Sequence, residues 1–203
     1  MPGIVIVPLF TPNSLTAIAE KAIQSANVLF LQTALHPSAE AVRTLNAAFT
    51  SMDDLFETCA DFDRLNDAIA GRIVSAGDCV YVATGSVFSS QLPVIRQKAE
   101  ERGINVSVLP YVSVSAAAFP ALTQARELSA HDLPNALDPE QNYVVCEIDS
   151  RLIAGETKIA LTEYFDDERF VSIASIGKNG DYESRPIPLC ELDRQSSYDA
   201  STC

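Results

Sequence analysis

Cys79-Val-Tyr-Val-Ala-Thr-Gly-Ser-Val-Phe-Ser-Ser-Gln-Leu-Pro93 is the most informative stretch of the sequence. Its apolar, β-branched and aromatic start predicts a buried strand over residues 79–83. Thr84-Gly85-Ser86 then interrupts the run, and a helical pattern begins within a few positions. This order is half of a βαβ unit, and ligands of open α/β sheets bind at the carboxyl ends of such strands. Gly85 either lets a ligand approach the backbone or only makes the turn.

The composition and charge of the 203-residue chain exclude several classes of protein. Hydrophobic residues make up 47% and charged residues 20%, which is typical of a folded soluble protein. The net charge of −13 argues against partners that carry many phosphates, both nucleic acids and anionic membrane surfaces. The start of the chain does not have the pattern of a signal peptide, and no apolar run reaches membrane-spanning length. We expect a cytoplasmic protein.

The potential metal ligands are scattered along the chain. Its five cysteines form no CxxC pair, and only His36 and His131 could join them, so we expect reduced thiols and no metal site. The acidic residues between positions 53 and 67 suit helix starts and a solvated face better than a metal site. His36, before Pro37, is either a polar group at the mouth of a site or a structural histidine, which we favour; His131 is expected to be solvated.

Strands and helices alternate over residues 1–112, which predicts a mainly parallel sheet with helices on both faces. The predicted strands cover residues 3–8, 28–31, 47–49, 79–83 and 104–109. A turn with Asn13 or Ser14 as N-cap should open the first helix, and Ser51-Met-Asp-Asp54 fits a capping box. The longest predicted helices are at residues 62–77 and 89–102, the second ending at Gly103.

Residues 113–190 predict a smaller, mixed α/β part. A polar connection over 121–141 is followed by a strand at 143–148 and a helix at 156–165. Residues 170–176 and 182–187 predict an antiparallel hairpin that turns at Asn179-Gly180. The polar tail over 191–203 is expected to lack fixed structure in its last residues, which would leave Cys203 as an accessible thiol.

Several segments resemble the tetrapyrrole (corrin/porphyrin) methylase family, and the resemblance covers nearly the whole chain. More narrowly, the chain is similar to the methylase-like domain that precedes MazG-type nucleotide pyrophosphohydrolase domains. The sequence stops where the segment connecting to such a domain would begin, so we expect either a stand-alone version or a truncated form. The segments are Thr33-Ala-Leu-His-Pro37, Ser51-Met-Asp-Asp-Leu-Phe56, Asp61-Phe-Asp63, Pro110-Tyr-Val-Ser113, Glu156-Thr-Lys-Ile-Ala-Leu161 and Pro188-Leu-Cys-Glu-Leu-Asp-Arg194.

The resemblance implies an α/β fold of two subdomains with a cleft between them, in which S-adenosylmethionine would bind. It further implies a homodimer, methyl transfer to a tetrapyrrole or a related acceptor, and a nucleotide pyrophosphohydrolase as a possible partner. Methyl transfer needs little side-chain chemistry, because the sulfonium is already activated and the protein supplies alignment and a dry site. The sequence assigns no catalytic side chain and no acceptor.

The chain departs from the family at the turns that the resemblance assigns to the cofactor. A glycine-rich loop follows the first strand in the family, whereas this chain has Pro8-Leu-Phe-Thr-Pro-Asn-Ser14. The family's Pro-Gly-x-Ser becomes Pro110-Tyr-Val-Ser113, and we expect Tyr111 to point into or roof the cofactor space. Ser113 either contacts ligand or only caps a helix. The predicted cofactor-binding residues are Pro8, Leu9, Phe10, Thr84, Gly85, Ser86, Tyr111 and Ser113.

Two functions therefore stand. One is an S-adenosylmethionine-dependent methyltransferase of the tetrapyrrole methylase type. The other is a catalytically silent relative that keeps the fold as a binding or dimerisation module. The altered Pro8–Ser14 loop favours the second, and kinship of fold favours the first.

Overall fold

The parallel sheet predicted from the first half of the sequence is present in the computed structural model. The structure describes residues 3–85 and 88–203, apart from the side chains at 88 and 89, and the chain divides into two units, Met1–Val112 and Ser113–Cys203. Five strands of the N-terminal unit form the sheet, in the order β3-β2-β4-β1-β5, and all neighbours are parallel. They are β1 (Gly3–Pro8), β2 (Leu29–Leu31), β3 (Phe49–Ser51), β4 (Cys79–Ala83) and β5 (Asn105–Val108).

Helices pack on both faces of this sheet. Successive residues of a strand point to opposite faces, so Val7 and Val82 join one core while Ile6 and Tyr81 face the other way. On the first face the core contains Ala19 and Ile23 of α1 together with α2 residues, and on the second the Tyr81 hydroxyl donates to Gln91 Oε1 of α5 at 2.7 Å. The helices of this unit are α1 (Ala17–Ser25), α2 (Ala39–Leu45), α3 (Asp53–Thr58), α4 (Phe62–Ala76) and α5 (Phe88–Glu101).

The order of the strands creates a point where the chain changes direction. β1 and β4 are neighbours, but the chain leaves β1 toward β2 on one side and leaves β4 toward β5 on the other. In open α/β sheets this reversal leaves a crevice at the carboxyl ends of the strands. The turns after β1 and β4 therefore meet at the edge where a ligand is expected.

The C-terminal unit combines parallel and antiparallel strand pairs with helices. It contains a parallel pair, β6 (Arg126–Ser129) with β7 (Tyr143–Cys146), and an antiparallel hairpin, β8 (Phe170–Ile176) with β9 (Tyr182–Pro188). The predicted hairpin turn is confirmed, since Gly180 has a φ of 84°, which glycine adopts without strain. The helices are α6 (Val114–Ala118), α7 (Arg151–Thr162) and a 3-10 helix at Leu189–Arg194.

Two segments that carry the family resemblance meet in this unit. Lys158 on α7 forms an ion pair with Asp193 of the 3-10 helix, with 2.8 Å between Lys158 Nζ and Asp193 Oδ1. The ammonium group lowers the pKa of the Asp193 carboxyl. The Lys158 side chain is only 23% exposed, and its ion pair ties α7 to the 3-10 helix.

Several expected boundaries are wrong for local reasons. The polar connection contains strand β6, in which only Leu128 is buried, so no run of apolar residues marked it. Helix α7 starts at Arg151 because the Ser150 side chain accepts a hydrogen bond from the Ile153 N–H. At α3 no capping box forms, because the preceding residue is Met52, which has no capping oxygen.

The first helix and the acidic stretch show the same kind of difference. Thr16, not Asn13 or Ser14, caps α1, with its hydroxyl accepting from the Ala19 N–H. The Asp53 carboxylate accepts from the Ala34 N–H at 3.0 Å and thereby holds the loop after β2.

Within the described helices, none combines the length and the apolar character that a bilayer crossing requires.

The prediction that the last residues lack fixed structure is wrong. Ala174 of β8 and Cys203 exchange two backbone hydrogen bonds of 2.7 and 2.8 Å, so the chain terminus pairs like a strand with β8. Ser201, Thr202 and Cys203 are each more than 90% buried. Burial raises the pKa of the Cys203 thiol to about 12, so the expected accessible thiol is also wrong.

Candidate functional site

The predicted cofactor turns come together at the carboxyl edge of the five-stranded sheet. Pro8 ends β1 and lies beside Ala83, and the Leu9 N–H donates to the Ala83 carbonyl at 2.8 Å. Thr84 and Gly85 follow β4 and are both buried. Tyr111 follows β5, which is the other neighbour of β1. Parallel pairing thus places three turns from distant parts of the sequence side by side.

The backbone donors of the Gly85 turn already have a partner within the chain. Gln32, the first residue after β2, places its side-chain Oε1 2.9 Å from the Thr84 nitrogen and 3.2 Å from the Gly85 nitrogen, and accepts a hydrogen bond from each. Gln32 is only 2% exposed. A ligand that used these two N–H groups would first have to displace a buried amide.

An aromatic pair closes the neighbouring turns. The rings of Phe10 and Tyr111 lie edge to face, with centroids 5.6 Å apart and planes at 85°. Phe10 is 2% exposed and Tyr111 is 46% exposed, so the tyrosine covers the phenylalanine from the solvent side. These two side chains stand where the resemblance expects glycines. The Tyr111 ring contacts Phe10, and that it roofs a cofactor space stays a prediction.

The other predicted cofactor-binding residues are Thr84, Ser86 and Ser113. Ser113 caps α6, because its Oγ accepts from the Ala116 N–H at 3.2 Å. Ser86 lies outside the described residues. The Thr84 hydroxyl is buried and has no hydrogen-bond partner. Among the described residues of these turns, no other polar side-chain atom is both buried and without a partner.

His36 is 3% exposed, and its Nδ1 accepts a hydrogen bond from the Ser38 N–H at 3.1 Å. Such a bond fixes a turn, as the structural interpretation of this histidine expects.

A charged cluster lies at the carboxyl ends of β6 and β7. His131 Nε2 and Asp149 Oδ2 are 3.0 Å apart, and the His131 side chain is only 20% exposed, so the expectation of a solvated histidine is wrong. The hydrogen bond to Asp149 raises the pKa of His131 and lowers the pKa of Asp149. The Ser129 hydroxyl donates to Glu147, whose φ of 64° is uncommon for a residue with a side chain.

This cluster lacks the arrangement that nucleophilic catalysis requires. The Ser129 hydroxyl donates to Glu147 at 2.6 Å and meets His131 only through that residue's backbone N–H. A histidine general base would have to accept the hydroxyl proton itself. Across residues 3–85 and 88–203, no three His, Cys, Asp or Glu side chains are grouped as metal ligands.

Comparison with solved structures identifies the fold of this chain. The structure of uroporphyrin-III-C-methyltransferase from Thermus thermophilus superposes with a TM-score of 0.64 at 18% identity, over 98% of this chain and 91% of that one. Another structure of the Thermus thermophilus enzyme, complexed with S-adenyl homocysteine, gives a TM-score of 0.62 at 14% identity, over 95% of this chain and 86% of that one. The fold is that of the tetrapyrrole methylases.

Sequence comparison adds one curated relative. The uncharacterized protein YabN of Bacillus subtilis (strain 168) is 27% identical over 198 residues, which cover 90% of this chain. The chain spans only 40% of the length of that relative. No protein-family model matches the chain.

The methylase fold is thus retained, and the side chains of Gln32, Phe10 and Tyr111 lie at the turns where the sequence predicts a cofactor. Sequence reasoning included Phe10 and Tyr111 among the predicted cofactor-binding residues but did not predict their mutual contact, and it missed Gln32. A signal for Gln32 was present, since it is the first polar residue after a buried strand. Its importance follows only from β2 and β4 being neighbours, which the sequence order does not show.

Proposed function

We propose that this chain is a methylase-fold binding module whose cofactor edge is closed by its own side chains, so that it does not transfer methyl groups efficiently. The observation that carries the proposal is the buried Gln32 amide bonded to the Thr84 and Gly85 N–H groups. In the family these turns hold S-adenosylmethionine largely through backbone groups, according to the resemblance. Here the donors are already used.

The free energy needed to open this edge would weaken ligand binding measurably. Displacing Gln32 breaks two buried hydrogen bonds, each contributing about 1 kcal/mol net, before any gain from the ligand. A cost of about 2 kcal/mol corresponds to a roughly 30-fold weaker affinity. Separating the rings of Phe10 and Tyr111 would add about 0.5 to 1.5 kcal/mol.

The second candidate is an S-adenosylmethionine-dependent methyltransferase with an unknown tetrapyrrole-like acceptor. Two observations favour it: the fold, and the S-adenyl homocysteine bound to the Thermus thermophilus protein of that fold. The switch point between β1 and β4 also remains in place. In this case the ligand would displace Gln32 and Tyr111 when it binds.

Calorimetric titration of S-adenosylmethionine and S-adenosylhomocysteine separates the two candidates. We expect undetectable or weak binding to the parent chain. Tyr111→Gly combined with Gln32→Ala should strengthen or create binding by at least about tenfold, which is 1.4 kcal/mol. Gly85→Val, added to that pair, should abolish it, because a side chain would fill the space next to the turn.

Gln24→Ala is the matched control, since Gln24 is exposed on α1. It should leave affinity unchanged. Tight binding of S-adenosylmethionine by the parent chain, with methyl transfer to a tetrapyrrole, would reject the binding module in favour of the methyltransferase. If the double variant folds and still does not bind, blockage by these two side chains is the wrong explanation, and the Pro8–Ser14 loop is responsible.

The expected partners are part of this proposal. We propose a homodimer, as the resemblance implies, and a nucleotide pyrophosphohydrolase as the enzyme with which the module associates. The relative YabN is longer than the region matched here, which leaves room for a further domain in that protein. Co-purification with a MazG-type pyrophosphohydrolase from the same genome, compared between parent and edge variants, would test the association.

A further inference from the structure

A cavity of about 200 Å³, partly open to solvent, is lined by residues of the C-terminal unit. Its walls come from α7, from β7 and β8, and from the 3-10 helix at Leu189–Arg194. Most wall residues are apolar, including Ile148, Leu161 and Leu189. The cavity is independent of the function proposed above.

One polar group in the wall has no partner. Thr157 of α7 is fully buried, and its Oγ1 makes no hydrogen bond within the chain. A threonine in a helix can bond the carbonyl one turn earlier, and a buried hydroxyl without any bond is costly. Since Thr157 lines the cavity, a ligand there could supply the missing partner.

A positive charge stands at the same cavity. The guanidinium of Arg169 lies 4.9 Å from the centre of the Phe165 ring, and both residues line the space. None of the lining residues has an acidic side chain, but Cys203, which also lines it, carries the terminal carboxylate, one oxygen of which accepts from the Ala174 N–H. The acidic residues nearest in sequence, at 166–168, are exposed, and so is Arg169, whose side chain therefore lies at the solvent side of the cavity. Within the described part of the chain, Arg169 forms no ion pair.

The volume limits what can bind. A dry apolar cavity of about 150 Å³ holds benzene, so 200 Å³ suits one ring with a few further atoms. S-adenosylmethionine and tetrapyrroles are far larger. We propose that this cavity binds a small monocarboxylate with an aromatic or branched apolar body, which pairs its carboxylate with Arg169 and accepts a hydrogen bond from Thr157.

Phenylacetate is the probe, and phenylacetamide is its neutral counterpart of nearly the same shape. Titration followed by NMR should show saturable phenylacetate binding, with phenylacetamide bound about tenfold more weakly because it lacks the charge. Arg169→Gln should weaken phenylacetate binding by about tenfold and remove the difference between the two probes. Thr157→Val, which keeps the side-chain shape, should weaken it several-fold.

Arg151→Gln is the matched control, because Arg151 is exposed at the start of α7 and does not line the cavity. It should bind phenylacetate like the parent. Equal affinity for both probes, or an Arg169→Gln variant that binds like the parent, would show a packing defect and overturn the proposal, as would no saturable binding. Failure here leaves the Gln32 and Tyr111 experiments unaffected, so the two proposals are tested separately.

Discussion

His131 and Asp149 form the clearest titrating pair at the scale of single residues. The pKa of His131 is raised from its ordinary 6.5, mainly by the hydrogen bond to Asp149, with Glu147 and Glu156 adding to it. The stabilisation is therefore fully present below about pH 6.5 and is lost as the pH rises through the higher pKa of the folded state. Because the pKa of the Asp149 carboxyl is lowered, the stabilisation is also lost in acid, below the ordinary carboxyl value of 3.8.

We predict that Asp149→Asn lowers the free energy of unfolding by up to about 1 kcal/mol at pH 5.5, and by clearly less at pH 8.5. The limit is low because the Asp149 side chain is 42% exposed and solvent screens the pair. Urea unfolding at the two pH values measures the difference. Asp132→Asn, at an exposed neighbour, should show no such dependence, and an equal loss at both pH values would contradict the pairing.

Single-residue roles were the least predictable part of the site. The sequence placed Gly85 after a buried strand and identified Tyr111 as bulky, because both follow local patterns. Gln32 could not be linked to Gly85, since 53 positions separate them and only strand pairing brings them together. His131 was misjudged for the same reason, as its partner Asp149 is 18 positions away, in the segment after β7.

At the scale of elements, the C-terminal segment completes the edge of β8. Besides the two bonds between Ala174 and Cys203, the Ile148 N–H donates to the Thr202 carbonyl at 3.0 Å, and the Ile176 N–H donates to Ser201 Oγ. An unpaired strand edge leaves backbone groups unsatisfied, and this segment satisfies them. Polar composition suggested a free tail, but backbone pairing does not depend on side-chain polarity.

We predict that Cys203 reacts with iodoacetamide far more slowly than Cys59, which is partly exposed. Burial moves the pKa of the Cys203 thiol from 9.0 to about 12, so roughly a thousandfold fewer thiolates are present at a given pH, and access is restricted as well. Timed labelling followed by peptide mass spectrometry measures each rate, with urea-unfolded chain as the reference. Comparable native rates for the two thiols would show that the segment is not docked.

The elements with strong apolar patterns were predicted well, and weakly patterned ones were not. Strand β4 and helices α4 and α5 match their predicted positions within about two residues, as such boundaries allow. Strand β6 was missed because Arg126 and Glu127 make half of it polar and charged. Segments held mainly by backbone bonds leave little trace in the sequence.

At the scale of the whole molecule, the fold was predictable because family markers are spread along the chain, whereas the homodimer that the resemblance implies stays a prediction. Exposed apolar residues give a physical reason to expect association. Leu152 and Ile159, two turns apart on one side of α7, are 70% and 65% exposed. Phe170 at the start of β8 is 72% exposed. A symmetric dimer would use the same patch on both copies.

We predict a homodimer with twice the chain mass of 21.9 kDa, measured by light scattering after size exclusion. Each copy carries a net charge of −13, so repulsion should weaken the dimer at low ionic strength and added salt should strengthen it. Replacing both Leu152 and Ile159 with Lys should give monomers, whereas Ile18→Lys, at a 54% exposed position on α1, should not. A single-chain mass from micromolar to millimolar concentration, at high salt as well as low, would rule the dimer out. A dimer that survives the α7 substitutions would instead place its interface elsewhere on the surface.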